Sequence, residues 1–250
     1  MTKKLFGKIS NLFGYKLIDK KLFKNSRLIS HNSLFSLETI LNSLFEKKKI
    51  NSIVQIGAND GQRFDVLSFF IKKYNTSSLL VEPITTNFKQ LNDKYINSSF
   101  IKLEHSAISV DNEISFLYKV DEKFLYLYKN HIPGITSFNK SHLLTHGVKN
   151  KHIVKENVNS ISIKDLIKKH DIKFLDLFFV DAEGYDGKII LDFLKIENFS
   201  SILIFEYIHI DYLIFDKLIN ELKKLKYTFF SIDENLICIP DKTKIKIDFF

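Results

Sequence analysis

The chain has 250 residues, 45% of them hydrophobic and 26% charged, with one cysteine, Cys238, and no tryptophan. That length buries a substantial core in one domain and is too short for two average domains and a linker; the composition excludes disordered, collagen-like and disulfide-stapled chains. The formal charge of +8 would suit an anionic polymer, but residues 1–30 hold eight cationic side chains against one aspartate, Asp19, so the other 220 residues carry about +1.

Only Arg27 and Arg63 are arginines. Nucleic-acid readers lean on the planar guanidinium for bidentate contacts with phosphate and guanine, so nucleic acid is not expected as a partner. No apolar run approaches the ~18–20 residues of a membrane span; the longest, Ser201 to Phe215, is broken by Glu206, His209 and Asp211. The N-terminus carries no continuous apolar stretch with a small-residue cleavage site, and the expected location is the cytoplasm.

In chain order, residues 1–30 read as a weak amphipathic helix, with Leu5, Phe6, Ile9, Leu12 and Phe13 opposite Lys3, Lys4, Lys8 and Asn11. Such a basic arm either contacts an anionic membrane surface or docks on its own domain, the second being the simpler expectation. A clearer helix follows within residues 1–50. Leu37, Ile40, Leu41, Leu44 and Phe45 recur at helical spacing, with Ser36 as N-cap and lysines in the last turn. The domain proper is expected over 51–240, with a tail over 241–250.

From Ser52 strand-like and helix-like segments alternate: Ser52 to Ile56, a helix through Val66, Leu67, Phe70, Ile71 and Tyr74, Ser78 to Glu82, a helix through Phe88, Leu91 and Tyr95, and Ser99 to Glu104. The alternation resumes with Leu177 to Asp181, a helix through Ile189, Ile190, Phe193 and Leu194, Ile202 to Glu206, a helix from Phe215 to Leu225, and the runs Tyr227 to Ile232 and Leu236 to Ile239. Continuously apolar strands predict an α/β fold with a mostly parallel, seven-stranded sheet covered on both faces. The last two runs are joined only by Asp233, Glu234 and Asn235, too short for a parallel crossover, so the sheet should end in an antiparallel hairpin strand. This is the Rossmann-like arrangement of class I methyltransferases rather than of dinucleotide dehydrogenases.

Between the third and fourth strands lies an insertion over about 110–175. Ile114/Phe116/Tyr118/Val120 and Phe124/Tyr126/Tyr128 alternate as a hairpin around Asp121 and Glu122, and a polar stretch runs from His131 to Lys155. An insertion at the C-terminal end of a strand is where a substrate lid is expected. Its Thr136, Ser137, His142 and His146 either line an acceptor pocket or are simply solvated, the latter being the plainer expectation.

Three clusters carry chemistry. The first is VQIGANDG, 54–61, a strand running into a glycine turn that opens a helix; glycines there let backbone approach a ligand at the switch point of a doubly wound sheet. Asn59 replaces the middle glycine of a dinucleotide G-x-G-x-x-G, which suits a ligand without a diphosphate. Glu82 ends the next strand, where a carboxylate can accept hydrogen bonds from both ribose hydroxyls. The third cluster is Asp181, Ala182, Glu183, Gly184, Tyr185 and Asp186 with Glu206, Tyr207, Ile208 and His209, which bring carboxylates and a general base with a near-neutral pKa to the same rim.

These residues resemble the FkbM family of S-adenosylmethionine-dependent methyltransferases. VQIGANDG (54–61), VEP (81–83), His105 to Ile108, VDAEGYD (180–186) and FEYIH (205–209) carry the resemblance, in order, over about three quarters of the chain. It implies S-adenosylmethionine as donor and methylation of a hydroxyl on a sugar, a glycan or a secondary metabolite. Gln55, Gly57, Asn59, Gly61, Glu82, Ala107 and Asp181 are then the donor-binding residues, while His209, Asp181 and Glu183 orient and deprotonate the acceptor. Many members carry Asp where Gln55 stands and Val or Thr where Ala182 stands, so one negative charge near the donor is lost here. An alternative set, Asp181, Glu183 and Glu206, offers all-oxygen ligands for Mg²⁺. Two rival functions remain open at this level: a nicotinamide-dependent oxidoreductase, and a non-catalytic binding protein of glycan assembly that retains the fold.

Overall fold

The computed structural model describes residues 36–243, apart from residues 49, 63–64, 111–114, 129–131 and 198. The basic helix expected over 1–30, Ile114, His131 and the last seven residues of the tail lie outside the described residues. Helix α1 (Leu37–Lys48) leads into β1 (Ser52–Ile56), α2 (Leu67–Tyr74), β2 (Ser77–Val81), α3 (Thr85–Tyr95) and β3 (Ile101–Glu104). The insertion supplies β4 (Ala107–Ile108), β5 (Phe116–Val120), β6 (Thr136–Ser137), α4 (Lys140–Thr145), β7 (Ile153–Asn157) and β8 (Ser160–Ile161), and α5 (Ile163–Lys169) returns the chain to the sheet. Then come β9 (Leu177–Val180), α6 (Asp186–Phe193), β10 (Ile202–Glu206), α7 (Tyr212–Lys224), β11 (Tyr227–Ile232) and β12 (Asn235–Pro240).

The main sheet has the order β11-β12-β10-β9-β1-β2-β3. Strand β12 runs antiparallel to both neighbours, and the other neighbouring pairs run parallel. The chain therefore has the α/β, Rossmann-like class I methyltransferase fold read from its strand pattern, with the insertion between the third and fourth strands of the sheet. The hairpin turn needs a left-handed residue, and Asp233 supplies it at φ 51°.

The strands read as continuously apolar because alternate residues serve opposite cores. Ile53, Leu80, Phe179, Ile204 and Ile237 pack with Leu41, Phe45, Ile71 and Leu91 of α1, α2 and α3. Val54, Val81, Phe178, Leu203 and Cys238 pack with Leu166, Ile190, Phe193 and Leu218 of α5, α6 and α7. Helix α1 thus shares the core of the sheet, and Ser36 caps it by accepting a hydrogen bond from Thr39 N at 3.2 Å. No helix of the described residues is long and apolar enough to cross a membrane.

The insertion departs from its expected hairpin. Its first half is β5, but β5 pairs with β6 and β7, and the second half is a 3-10 helix, Glu122–Leu127, begun by Asp121 accepting from Lys123 N at 3.1 Å. The alternation of Phe124 and Tyr128 has another cause. Both pack on a small core of Val120, Ile135, Leu143 and Val148, while Tyr126 between them is exposed. The polar stretch expected beyond it contains α4 and the start of β7, and α5, which the spacing did not announce, is capped by Ser162 Oγ accepting from Asp165 N at 3.1 Å.

Candidate active site

At the end of β1 the chain turns on Gly57, whose φ is +79°. Gly57 N and Ala58 N both donate to Val81 O at 3.0 Å, and a Cβ on Gly57 would collide with the carbonyl oxygen of Asp181. Only glycine fits, because the positive φ and the close backbone approach coincide. Asn59 (φ 49°) and Gly61 (φ 69°) continue the left-handed turn, and a Cβ on Gly61 would meet Leu91 Cδ1 at 2.7 Å.

The turn grips the next strand end. Glu82 Oε2 accepts from Asn59 N at 2.9 Å and Oε1 from Ile84 N at 2.8 Å, fixing a carboxylate that is only 4% exposed. Burial raises its pKa to about 7, against the hydrogen bonds from Ile84, Asn59 and Asn87 that favour the ionised form.

A cleft with two lobes opens over these strand ends, sharing Gly57, Glu82, Thr136, Asp181 and Glu183. One lobe is walled by Pro83, Ala107, Ile108, Leu117, Phe138 and Tyr185. The other is polar and includes Gln55, Asn59, Asp65 and Asn87. Here Gln55 Nε2 donates to Asp65 Oδ1 at 3.2 Å, while Gln55 Oε1 and Asp65 Oδ2 are buried with no hydrogen-bond partner among the described residues. Buried acceptors without donors are costly, so this lobe is chemically suited to a cation or an N–H-bearing ligand. Asp65 also caps α2, accepting from Leu67 N at 3.0 Å, and burial raises its carboxyl despite these bonds. Sequence reasoning missed Asp65, although an aspartate just before a helical apolar run is a capping signal.

Carboxylates crowd the rim between the lobes. Asp181 stands well above the usual carboxylate range, through the surrounding protein and then through Glu183, Asp186, Glu82 and Glu234. Asp181 lines both lobes and is exposed to solvent there, which weakens the effect of desolvation and leaves the repulsion by its acidic neighbours. Asp186 is fully buried and shapes the loop, accepting from Ala182 N and Gly184 N at 3.1 Å each. Desolvation brings it to about 7. Glu206 reaches about 9, from burial and then the charges of Asp181 and Glu183.

His209 follows β10, its Nε2 3.7 Å from Glu206 Oε1. The insertion brings two more histidines to it, contrary to the plainer expectation that they are merely solvated. The rings of His142 and His146 lie 4.7 and 5.1 Å from that of His209, and His142 Nε2 lies 2.8 Å from Glu183 Oε2. Thr136 and Ser137 line the cleft, and Ser137 Oγ donates to Glu183 O at 3.3 Å. The Mg²⁺ site expected at Asp181, Glu183 and Glu206 gains no support. Among the described residues, the grouping whose ligand atoms lie close enough for an ion is His142, His146 and His209 instead.

Of the stretch after β3, Ser106 and Ala107 line the cleft, while His105 stacks on Phe88 at 4.4 Å. Beneath them lies another group that sequence reasoning missed. Glu104 accepts from Ser106 Oγ at 2.7 Å and pairs with His170 Nε2 at 2.7 Å and with Lys169. Burial would raise its carboxyl, but these partners hold it below its ordinary value.

Residues 55–229 match the family model of the methyltransferase FkbM domain. The chain belongs to the FkbM methyltransferase family. It is by that membership an S-adenosylmethionine-dependent methyltransferase, which sets aside the nicotinamide reading. No curated protein matches it by sequence. Among solved structures, this FkbM methyltransferase is similar to the SAH-bound methyltransferase PaMTH1 of Podospora anserina, with 10% identity, 96% of each chain covered and a TM-score of 0.43. It is also similar to the ribosomal protein L11 methylase of Lactobacillus delbrueckii subsp. bulgaricus, with 12% identity, 80% of this chain and 74% of that chain covered, and a TM-score of 0.38. The residues present fit the donor, since its sulfonium and ammonium are the cations that an acidic rim and two acceptors without partners among the described residues would take.

Proposed function

We propose that this FkbM methyltransferase methylates a hydroxyl group on a sugar, a glycan or a secondary metabolite. The observation that carries the reading is His209, 3.7 Å from Glu206 and packed against Gly184, the residue that follows the cleft-lining Glu183. A hydroxyl acceptor must give up a proton, and an imidazole is the side chain best matched to take it near neutral pH.

When bound, S-adenosylmethionine supplies an electrophilic methyl group on a cationic sulfur. The chain's own residues divide around it. The turn at Gly57, Asn59 and Gly61 brings main chain close to the donor, and Glu82 accepts from the ribose hydroxyls. Ala107 belongs to the apolar lobe suited to the adenine, and Gln55 with Asp65 offers acceptors to the ammonium. Asp181 lies where it serves both partners, Glu183 orients the acceptor, and the insertion shields the cleft from water. Alignment and exclusion of water are the main contributions to an in-line methyl transfer.

The test is a panel of hydroxylated acceptors assayed for methyl transfer, with His209→Ala beside the unaltered protein. Turnover should fall by roughly 10²- to 10⁴-fold, the usual loss on removing a general base, with donor affinity by calorimetry unchanged. Turnover near that of the unaltered protein removes His209 from this role.

A further inference from the structure

We propose that His142, His146 and His209 bind one divalent transition-metal ion, with zinc as the ion their chemistry fits. His142 lies in α4 and His146 ends it, so their i, i+4 spacing sets both imidazoles on one side of the helix. His209 comes from a different element, the loop after β10. The three rings lie 4.6, 4.7 and 5.1 Å apart, and one nitrogen from each lies within 4.8 Å of the others. A tetrahedral zinc ion with bonds of 2.0–2.1 Å sets its nitrogens about 3.3 Å apart. The cluster therefore has to close by about 1.5 Å at most, within reach of small side-chain rotations at half-buried positions. Imidazole ligands favour zinc, copper or nickel over magnesium.

A second observation points the same way. His142 Nε2 lies 2.8 Å from Glu183 Oε2; the tautomer that donates from Nε2 to the carboxylate keeps its lone pair on Nδ1. A carboxylate fixing the tautomer and ring orientation of a histidine is the usual support of a metal ligand. Three protein ligands leave the fourth tetrahedral position open, as in catalytic zinc sites.

One consequence rests on the O-methylation reading; the binding itself does not. The ion and the general-base role are alternatives for His209: in the metal-free protein its lone pair takes the acceptor's proton, whereas with the ion present that lone pair belongs to the metal and an acceptor hydroxyl in the open position becomes acidic by coordination. Its proton then leaves to water as the oxygen takes the methyl group.

The probe is Co²⁺, titrated into the full-length, metal-stripped protein. Tetrahedral cobalt bands should grow in the visible spectrum, saturate at equimolar metal and disappear on adding Zn²⁺. The paired substitution His142→Asn with His146→Asn should abolish them, with retained donor binding as the check on folding. The milder His146→Gln serves the same purpose should the pair disturb the insertion. Glu183→Gln should weaken cobalt binding by ~10- to 100-fold, the range for a group that orients a ligand. Absence of saturable tetrahedral bands, or bands that persist in the folded histidine variants, overturns the proposal. Neither result depends on methyl transfer, so loss of the O-methylation reading would leave the cobalt result standing.

Discussion

On one side of the cleft, where the donor is proposed to bind, main chain shapes the wall and the side chains of Glu82, Gln55 and Asp65 are set along it. Gly57, Asn59 and Gly61 turn left-handed, and their amides are tied to Val81, Glu82 and Ala58. On the other side, side chains from separate parts of the chain meet: His142 and His146 from the insertion, His209 from the loop after β10, and Glu183 paired with His142. Main-chain geometry is set by the sheet and tolerates little change at its glycines. A side-chain cluster leaves the backbone untouched when one member is replaced, so chemistry there can vary while the fold persists.

The harshest way to break that contrast is Gly57→Ala. The added methyl has no room against the carbonyl of Asp181, so the ends of β1 and β9 must separate. Donor affinity should drop at least about 100-fold and stability by about 2–4 kcal/mol, read by calorimetry and thermal unfolding. Normal donor affinity would show that main chain does not shape that side.

A gentler test uses pH. Glu82 titrates near 7, and the ionised carboxylate is the form that accepts two ribose hydroxyls. Donor affinity should therefore fall as pH drops below about 7, approaching tenfold per unit, and level off above it. Glu82→Gln should flatten the profile. The stability of the ligand-free protein runs the opposite way. A carboxyl raised above its unfolded value of about 4.3 stabilises fully below that value, and the contribution is lost as pH rises through 7. Unfolding at about pH 8 should accordingly be easier than at about pH 6, and less so in the variant.

The smallest effect probes how the insertion is moored. Glu156 Oε2 pairs with Lys119 Nζ at 2.6 Å, and its Oε1 accepts from Thr85 N at 2.8 Å, joining the insertion's sheet to the start of α3. Glu156→Gln should cost roughly 1 kcal/mol. Faster hydrogen exchange in β5 and β7 should accompany it, with donor affinity changed only a few-fold. A large loss of donor affinity would mean that the insertion and the donor side are not separable.

The same division governs what the sequence makes legible. The donor side is written in contiguous residues, since a strand, a glycine turn and a strand-end glutamate each have a local signature. The histidine cluster has none. His209 lies far along the chain from His142, and only the packing of α4 against the loop after β10 reveals that they meet. The hairpin expected after β5 failed for a related reason, because alternation at Phe124 and Tyr128 reports one-sided packing in a 3-10 turn as readily as in a strand. Asp65 was obscured by serving two purposes at once, as the cap of α2 and as the partner of Gln55.

Strands β4 and β8 are only two residues each, yet they pair in parallel, with Ala107 N donating to Asn159 O at 2.8 Å and Ser109 N to Ile161 O at 3.1 Å. The stretch that carries Ser137, His142 and His146 therefore leaves and rejoins the domain at a single clasp. Anything between those two points can be lengthened, shortened or exchanged without shifting a strand of the main sheet. The fold thus offers a cassette that a lineage, or a protein engineer, can rewrite around the few positions, among them Leu117, Thr136 and Phe138, through which it also walls the cleft.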